Sequence, residues 1–152
     1  MYLPQTAEYA LRAMTYMANL PPETAVRARD LSQATTIPSH YLSKVLRRLV
    51  LAGLLTSQRG HGGGFCLARE PHLIRFLDIM VALDFRPDPS RCSFGWGSCD
   101  PSKPCPLHSA WSRLNSAFCA WAAETTLATV LVTGGLPDPA SDEGKNLKRT
   151  SL

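Results

Sequence analysis

The chain has no uninterrupted apolar run that approaches the roughly 20 residues a membrane-spanning helix needs, so we expect no membrane partner. Its first residues also lack a basic stretch followed by an apolar one, the pattern of a secretory signal peptide. Both absences predict a cytoplasmic protein, a compartment in which structural disulfides are disfavoured. The five cysteines, an odd number, are therefore interpreted as ligands and free thiols, with Cys66 and Cys119 as packing residues.

Catalytic chemistry is also poorly represented in this chain. The four histidines are scattered, and no base, nucleophile and orienting group fall together. The glycine-rich run RGHGGG suggests a phosphate loop, but no Lys-Ser/Thr pair follows it and no helix pattern begins there. We therefore expect a binding protein rather than an enzyme.

Acidic residues are scarce in the first half of the chain. Residues 1–70 hold eight Lys/Arg and four Asp/Glu, whereas residues 71–152 hold eight of each. The whole formal excess of +4 thus lies in the first half, as expected if that half faces nucleic acid. An ordinary, mildly basic surface would give the same charge balance.

The order of elements in this basic half is typical of a winged helix-turn-helix. Helical spacing predicts helices over residues 6–19, 26–35 and about 38–52, and the third buries a stripe of Leu42, Val45, Leu46 and Leu49. Two strands, LLTSQ and FCLAR, then flank the turn RGHGGG and form a wing. An arginine on a wing, here Arg59, suits the narrow minor groove of DNA. The predicted DNA contacts are Ser39, His40, Tyr41, Ser43, Lys44, Arg47, Arg48, Arg59 and His61.

Three cysteines, Cys92, Cys99 and Cys105, lie in the segment 91–108, and His108 follows the last of them. Glycines and prolines without apolar periodicity predict an irregular loop here. Three soft thiolates beside an imidazole predict a metal or cluster site. Two alternatives stay open. One is zinc, whose ligands usually lie closer together than these spacings of six and five residues; the other is a set of redox-active thiols without a metal.

A fourth helix is predicted over residues 74–83 and a longer one over about 107–131. In the longer helix apolar residues alternate four and three apart, as in the seam of a coiled coil. A lone helix with such a seam needs a partner, and we favour a second copy of the chain over its own domain. The seam residues are Leu107, Trp111, Leu114, Phe118, Trp121 and Thr125. The predicted division is a DNA-binding domain at 1–70, dimerisation helices with the cysteine loop at 71–131, and a disordered tail at 132–152.

Taken together, these features resemble the IscR/NsrR family of winged-helix transcription regulators. The resemblance covers about residues 1–131 and rests on TAEYALRA, YLSKVLRRLVLAGLL, RGHGGGFCLAR, CPLH and TTLATVL. It implies a mainly α fold with a small β-hairpin wing, in which a winged helix-turn-helix domain is followed by a long C-terminal dimerisation helix. It also implies a homodimer on a pseudo-palindromic, double-stranded promoter site. An iron–sulfur cluster would set the DNA affinity by sensing redox state, nitric oxide or iron–sulfur status, and repression is the favoured sign of regulation.

The resemblance further implies the cluster ligands. Cys92, Cys99 and Cys105 match the thiolates of the family, and His108 matches the imidazole of the IscR branch. Glu8 falls where the NsrR branch takes an acidic ligand from the other subunit. We favour His108, because it is local to Cys105 while Glu8 has a sufficient structural role in the first turn of a helix. Histidine ligation favours a [2Fe–2S] cluster. The six residues between Cys92 and Cys99, where the family usually has five, leave [4Fe–4S] open.

Overall fold

The computed structural model describes residues 3–131. In this range the chain forms helices and one two-stranded antiparallel sheet, so the prediction of a mainly α fold with a β-hairpin wing is confirmed. The elements are α1 (Gln5–Ala18), α2 (Ala28–Thr35), α3 (Ser39–Leu51), β1 (Leu55–Gln58), β2 (Gly64–Leu67), α4 (Phe76–Ala82), α5 (His108–Glu124) and α6 (Leu127–Leu131), with one 3₁₀ turn at Pro71–Leu73. None of the helices described is long and apolar enough to cross a membrane. The predicted tail at 132–152 lies outside the described residues.

The turn between α2 and α3 is held by local bonds. Thr36 follows α2 in a left-handed conformation with φ 54°, which few non-glycine residues adopt. Across this turn Ser32 Oγ donates to Ile37 O at 2.6 Å, and the Ile37 side chain is buried. Pro38 precedes α3 directly, where its fixed φ and missing N–H are tolerated. The direction of α3 relative to α2 is therefore fixed by the turn as well as by packing.

One face of α3 is buried in the core. Its buried residues are Leu42, Val45, Leu46 and Leu49, as the sequence predicts. After the helix Gly53 adopts φ 69° and donates from its N–H to Val50 O at 3.0 Å. Leu54 N–H donates to Leu49 O, also at 3.0 Å, which completes a Schellman ending. The opposite face of α3 is left to solvent.

The wing is anchored to the segment before α2. Its strands pair from Leu55 opposite Leu67 to Gln58 opposite Gly64. Val26 N–H donates to Phe65 O at 2.9 Å, and Phe65 N–H donates to Val26 O at 2.8 Å. A Cβ atom on Gly64 would lie 2.6 Å from Val26 O, so this approach requires glycine. The hairpin is thus supported by a third segment.

The single helix predicted over 107–131 is divided in two, which corrects that prediction. Helix α5 ends at Glu124, and Thr125 has extended backbone with φ −77° and ψ 125°. Phe76 N–H donates to Thr125 O at 2.9 Å, and Leu127 N–H donates to Ile74 O at 3.0 Å. The break therefore pairs with the segment that leads into α4.

The sequence does carry a signal for this break. Thr125 and Thr126 are successive β-branched residues, which a helix interior disfavours and an extended pairing accommodates. The Thr126 N–H donates to Thr129 Oγ1 at 3.3 Å, a local bond between side chain and backbone at the start of α6. The regular apolar spacing over residues 107–121 predicts one continuous helix and outweighs this signal in the sequence.

One hydrophobic core joins both halves of the described chain. Met14 of α1, Ile79 and Met80 of α4, Ala122 of α5 and Leu127 of α6 are all fully buried in the same cluster. The boundary expected near residue 70 therefore does not separate two cores. The half that is predicted to bind DNA, residues 1–70, is completed by helices from the second half.

Replacing Leu127 with Ala is expected to lower the free energy of unfolding by about 2–5 kcal/mol, because the change leaves a cavity in this core. Leu51→Ala is the matched control: Leu51 is 79% exposed, and the expected change is within about 0.5 kcal/mol. Denaturant unfolding followed by circular dichroism measures both variants. A Leu127→Ala protein as stable as the control would show that α6 is not part of the core.

Candidate nucleic-acid interface and cysteine loop

The solvent face of α3 presents polar side chains on a rigid support. Its exposed residues are Ser39, His40, Tyr41, Ser43, Lys44 and Arg47. Lys44 and Arg47 lie three residues apart and therefore share one side of the helix. The buried stripe on the opposite face fixes the orientation of this surface. The structure thus brings most of the predicted DNA contacts onto one surface.

Arg48 differs from the other predicted contacts on α3. Its side chain is 37% exposed and forms an ion pair with Asp84, which follows α4. A guanidinium that is paired with a carboxylate is less available to a DNA phosphate. Arg48 therefore ties α3 to the end of α4, and its predicted DNA contact competes with an internal partner.

Helix α1 contributes aromatic and basic side chains next to this surface that the sequence analysis missed. The ring of Tyr9 lies 6.0 Å from the ring of Tyr41, which in turn lies 4.1 Å from that of His40. The Arg12 guanidinium lies 5.7 Å from the Tyr9 ring. Helical spacing within α1 identifies its buried side only. No local signal links Tyr9 to the start of α3.

The wing tip exposes Arg59 and His61. Gly60 adopts φ 98°, a region that favours glycine. A Cβ atom on Gly63 would lie 2.4 Å from Gln58 O, so the turn has no room for a side chain there. The glycines are thus required by the turn itself. They leave bare backbone around Arg59, which allows a close approach to a DNA groove.

The segment 91–108 is an irregular loop up to the start of α5, as the sequence predicts. A small antiparallel bridge closes its first part. Cys92 N–H donates to Gly97 O at 2.8 Å, and Cys99 N–H donates to Ser90 O at 2.7 Å. These bonds bring Cys92 and Cys99 side by side although six residues separate them in sequence.

Backbone N–H groups favour the ionised form of Cys92. The Phe94 N–H donates to Cys92 Sγ at 3.4 Å. Hydrogen bonds from the Phe94 and Trp96 backbone lower the pKa of Cys92, and the neighbouring Cys99 thiol adds to this effect. Burial raises the pKa of Cys99, and the charges of Cys92 and Cys105 raise it further. A readily ionised thiol beside a second thiol is part of a donor set suited to a soft metal ion or cluster.

The ligands proposed from the sequence are only partly assembled. Among residues 3–131, no three His, Cys, Asp or Glu side chains already form a group that could hold a metal ion. Cys105 is exposed, and its carbonyl accepts a hydrogen bond at 3.0 Å from the N–H of His108, the first residue of α5. Glu8 is exposed in the first turn of α1. The donor chemistry fits an iron–sulfur cluster or zinc, whereas the fold alone pairs only Cys92 with Cys99.

Two hydrogen bonds attach the start of the cysteine loop to α5. Trp111 Nε1 donates to Arg91 O at 2.6 Å. The buried Asn115 donates from Nδ2 to Asp88 O at 2.5 Å. Since Cys92 follows Arg91 directly, a change in the ligands of Cys92 acts on a segment that is bonded to α5.

Helix α5 divides the predicted dimerisation seam between two faces. Trp111 and Phe118 are half-buried against their own chain, where the Phe118 ring lies 6.3 Å from the ring of Phe85. In contrast, Leu107, Leu114 and Trp121 are 50%, 53% and 39% exposed. Exposed alanines continue their spacing of three and four residues, so that an outer row is formed by Leu107, Ala110, Leu114, Ala117 and Trp121. The helix therefore still exposes an apolar row, but Ala110 and Ala117 take the places of Trp111 and Phe118 in it.

All five cysteines are free thiols. Cys66 is buried in β2, in keeping with a packing role. Cys119 is half-buried on α5, where burial first and the charge of Asp88 second raise the pKa of its thiol. Neither residue belongs to the cysteine loop.

Comparison with known proteins gives one consistent result. The Rrf2 family, described as an iron-dependent transcriptional regulator, matches residues 3–133. The HTH-type transcriptional regulator IscR of Vibrio campbellii is 30% identical over 131 residues, which cover 86% of this chain and 77% of that protein. IscR of Yersinia pseudotuberculosis is 28% identical over 151 residues, with 99% and 92% covered.

Solved structures of regulators share the fold. CymR, the global cysteine regulator of B. subtilis, superposes with a TM-score of 0.73 at 24% identity, covering 87% of this chain and 97% of that one. T. potens IscR superposes with a TM-score of 0.69 at 24% identity, covering 97% and 96%. At this identity the likeness establishes the fold alone.

Proposed function

Because the chain belongs to the Rrf2 family, and is therefore a DNA-binding transcriptional regulator rather than an enzyme, we propose that it acts as a cytoplasmic homodimer on pseudo-palindromic promoter DNA. We further propose that an iron–sulfur cluster at the cysteine loop sets its DNA affinity, with repression as the favoured outcome. The observation that carries the proposal is the polar solvent face of α3, which is held by a buried stripe and flanked by the glycine-rich wing.

In this proposal α3 enters the major groove. Ser39 and Tyr41 lie in its first turn, the part of a recognition helix that contacts base edges. Lys44 and Arg47 lie further along the same exposed side and suit phosphate contacts. Arg59 at the wing tip suits the adjacent minor groove, where a narrow width strengthens the attraction for arginine.

Replacing Lys44 with Ala is expected to weaken binding to all DNA sequences and to reduce the salt slope of binding by about one, because one phosphate contact is lost. Arg59→Ala should instead reduce affinity most for sites with a narrow minor groove beneath the wing. Arg113→Ala, an exposed arginine on α5, is the matched control. Fluorescence anisotropy with a DNA fragment selected by the wild-type protein measures all three. If Lys44→Ala and Arg59→Ala both bind like the control, another surface contacts DNA.

The outer row of α5 is the surface we propose for dimerisation. Its large side chains are exposed in the single chain, although burying a leucine or an aromatic side chain contributes about 1.5–3 kcal/mol. Spacing of three and four residues lets the same row from a second copy pack against it. The inner face, with Trp111 and Asn115, is already used by the cysteine loop and is not available for this contact.

Leu114→Asp is expected to give a monomer at micromolar concentration, because it places a carboxylate in the centre of the outer row. Ser116→Asp is the matched control, since Ser116 is exposed and lies outside that row. Analytical ultracentrifugation gives the mass of each variant, and anisotropy gives its DNA affinity. The monomer should also bind DNA weakly, because a single α3 and wing contact only half of a palindrome. A wild-type monomer, or a dimeric Leu114→Asp variant, would contradict the proposal.

The cluster ligands we propose are Cys92, Cys99, Cys105 and His108, with [2Fe–2S] favoured over [4Fe–4S]. The donor set supports this: the first two thiols are adjacent, and backbone N–H groups stabilise a thiolate at Cys92. His108 follows Cys105 closely and is bonded to its carbonyl. The alternative fourth ligand is Glu8 of the partner subunit. A bound cluster would supply a centre that responds to oxidants, nitric oxide and iron supply.

Coupling between this site and DNA runs through α5. Asp88, just before the loop, and Arg91, its first residue, are bonded to Asn115 and Trp111, and the same helix carries the outer row. A shift of α5 at the dimer axis changes the distance between the two α3 helices, which must match about one helical turn of DNA. A coupling free energy of about 1–3 kcal/mol is enough to change affinity about 5- to 150-fold.

His108→Ala, prepared anaerobically, is expected to lose iron or change its visible absorption spectrum, and to lose the dependence of DNA affinity on the cluster. Glu8→Ala is the matched comparison and should retain the wild-type spectrum. Iron analysis, absorption spectra and anisotropy are measured on both. Loss of the cluster in Glu8→Ala with no change in His108→Ala would place the fourth ligand on the partner subunit.

Zinc or metal-free thiol chemistry is the second candidate for the same loop. The proximity of Cys92 and Cys99, with pKa values shifted in opposite directions, favours a thiol pair that oxidises readily. The protein purified without oxygen separates the possibilities: a cluster gives a coloured protein with iron and sulfide, and zinc gives a colourless protein with metal. Redox thiols give neither colour nor metal.

A further inference from the structure

A cavity of about 420 Å³ lies between the end of α3, Arg69 just beyond the wing hairpin, and α4. Its apolar lining consists of Ala52, Leu54, Leu77, Val81 and Ala82, and its polar lining of Arg69, Arg75, Asp78 and Arg86. The volume falls within the range of about 300–1,000 Å³ that is typical of small-molecule sites. None of these residues belongs to the solvent face of α3, the wing tip or the cysteine loop.

Three arginines line the cavity, and one of them, Arg75, forms an ion pair with Asp78. Arg75 Nη2 donates to Asp78 Oδ1 at 2.8 Å, and Arg75 Nε donates to Asp78 Oδ2 at 3.1 Å. The hydrogen bond from Arg75 is the main cause that lowers the pKa of Asp78, and the charge of Arg69 lowers it further, so this carboxylate is ionised and interacts with both arginines. Within residues 3–131, Arg69 and Arg86 form no hydrogen bond or ion pair. The cavity therefore carries a net charge of about +2 beside an apolar floor.

We propose that this cavity binds a small organic anion. Its oxyanion head pairs with Arg69 and Arg86, and its apolar body lies on Leu54, Leu77 and Val81. Guanidinium groups bind carboxylates and phosphates through paired hydrogen bonds, which are stronger than neutral ones. An inorganic anion would leave the apolar floor uncovered, and a neutral apolar molecule would leave the arginines unpaired.

The position of the cavity argues against DNA as its occupant. Ala68 N–H donates to Leu54 O at 3.0 Å, which closes the wing hairpin at its base. Arg59 lies at the other end of the hairpin, at the tip proposed to enter the minor groove. Arg69 therefore lies at the end of the wing that points away from that contact.

Arg86 connects the cavity with the cysteine loop. It also lines a second cavity of about 290 Å³, together with Cys92, Trp111 and Asn115. An anion bound to Arg86 therefore acts beside the hydrogen bonds that attach the cysteine loop to α5. The anion would therefore be a second ligand that acts on the loop at a site other than the proposed cluster site.

Hexanoate is a suitable probe, with 1-hexanol and inorganic phosphate as matched ligands that lack the charge or the apolar body. Amide spectra of the ¹⁵N-labelled full-length protein give both the location and the dissociation constant. Hexanoate should shift amides around the cavity saturably, and the two matched ligands should bind at least about tenfold more weakly. No saturable shift with hexanoate, or equal binding of 1-hexanol or phosphate, would overturn the proposal.

Arg69→Gln and Arg86→Gln test the residues separately, with Arg113→Gln as the control outside the cavity. Each cavity variant should weaken hexanoate binding about tenfold, and the control should leave it unchanged. Unchanged affinity in both cavity variants would refute the assignment, as would displacement of hexanoate by the selected DNA fragment. The hexanoate titrations are run without DNA, which is added only for the displacement experiment. Hexanoate binding can therefore fail while the proposed DNA contacts hold, and the DNA contacts can fail while hexanoate binds.

Discussion

The backbone pairing between residues 74–76 and 125–127 determines how the rest of the molecule is arranged. It interrupts the C-terminal helix and returns the chain to the core, where Ile74 and Leu127 are fully buried. A helix continued through Thr125 would carry Leu127 away from α1 and leave the DNA-binding half without part of its core. The C-terminal end of α5 is therefore fixed to the core that supports α3, and its N-terminal part is bonded to the segment at the start of the cysteine loop. A displacement of the loop can therefore be transmitted through α5 to α3.

The cysteine loop has little apolar surface to bury, so the hydrophobic core does not fix its shape. Its shape comes from local hydrogen bonds: Asp88 Oδ1 accepts from the Ser90 N–H and Asp100 Oδ1 from the Ser102 N–H, each at 2.9 Å. The hydroxyls of Ser90 and Ser102 donate to the same oxygens at 2.7 and 2.6 Å. These hydroxyl bonds first, and the backbone bonds second, lower the pKa of both carboxyl groups. Trp96, 82% exposed, stacks on Phe94 at 5.1 Å and adds no core. A segment held in this way opens at low free-energy cost, which suits a site that must respond to its ligand.

The parts of the structure that the sequence predicted are those controlled by neighbouring residues. The buried stripe of α3 follows from a repeat of three and four residues, and Gly53 marks the helix end because only a left-handed residue fits there. The spacing of apolar residues along α5 fits two adjacent faces, and only tertiary structure shows that Trp111 and Phe118 are half-buried against their own chain. Asn115 is buried, and its amide donates to Asp88 O, a contact that no local pattern predicts. The pairing of Arg48 with Asp84, 36 residues away, depends on tertiary structure and has no local signal.

A cluster at the loop and an anion in the α4 cavity would act on the same two-state element, since Arg86 borders both sites and Trp111 joins the loop to α5. A ligand shifts such an equilibrium only by the difference in its affinity for the two states. If the cluster holds α5 in one position, an anion that prefers the other position must weaken the cluster by the same factor by which the cluster weakens the anion. Two inputs of this kind would then be coupled through α5. Arg86 lies six residues before Cys92 and lines both cavities, so the geometry favours such a coupling.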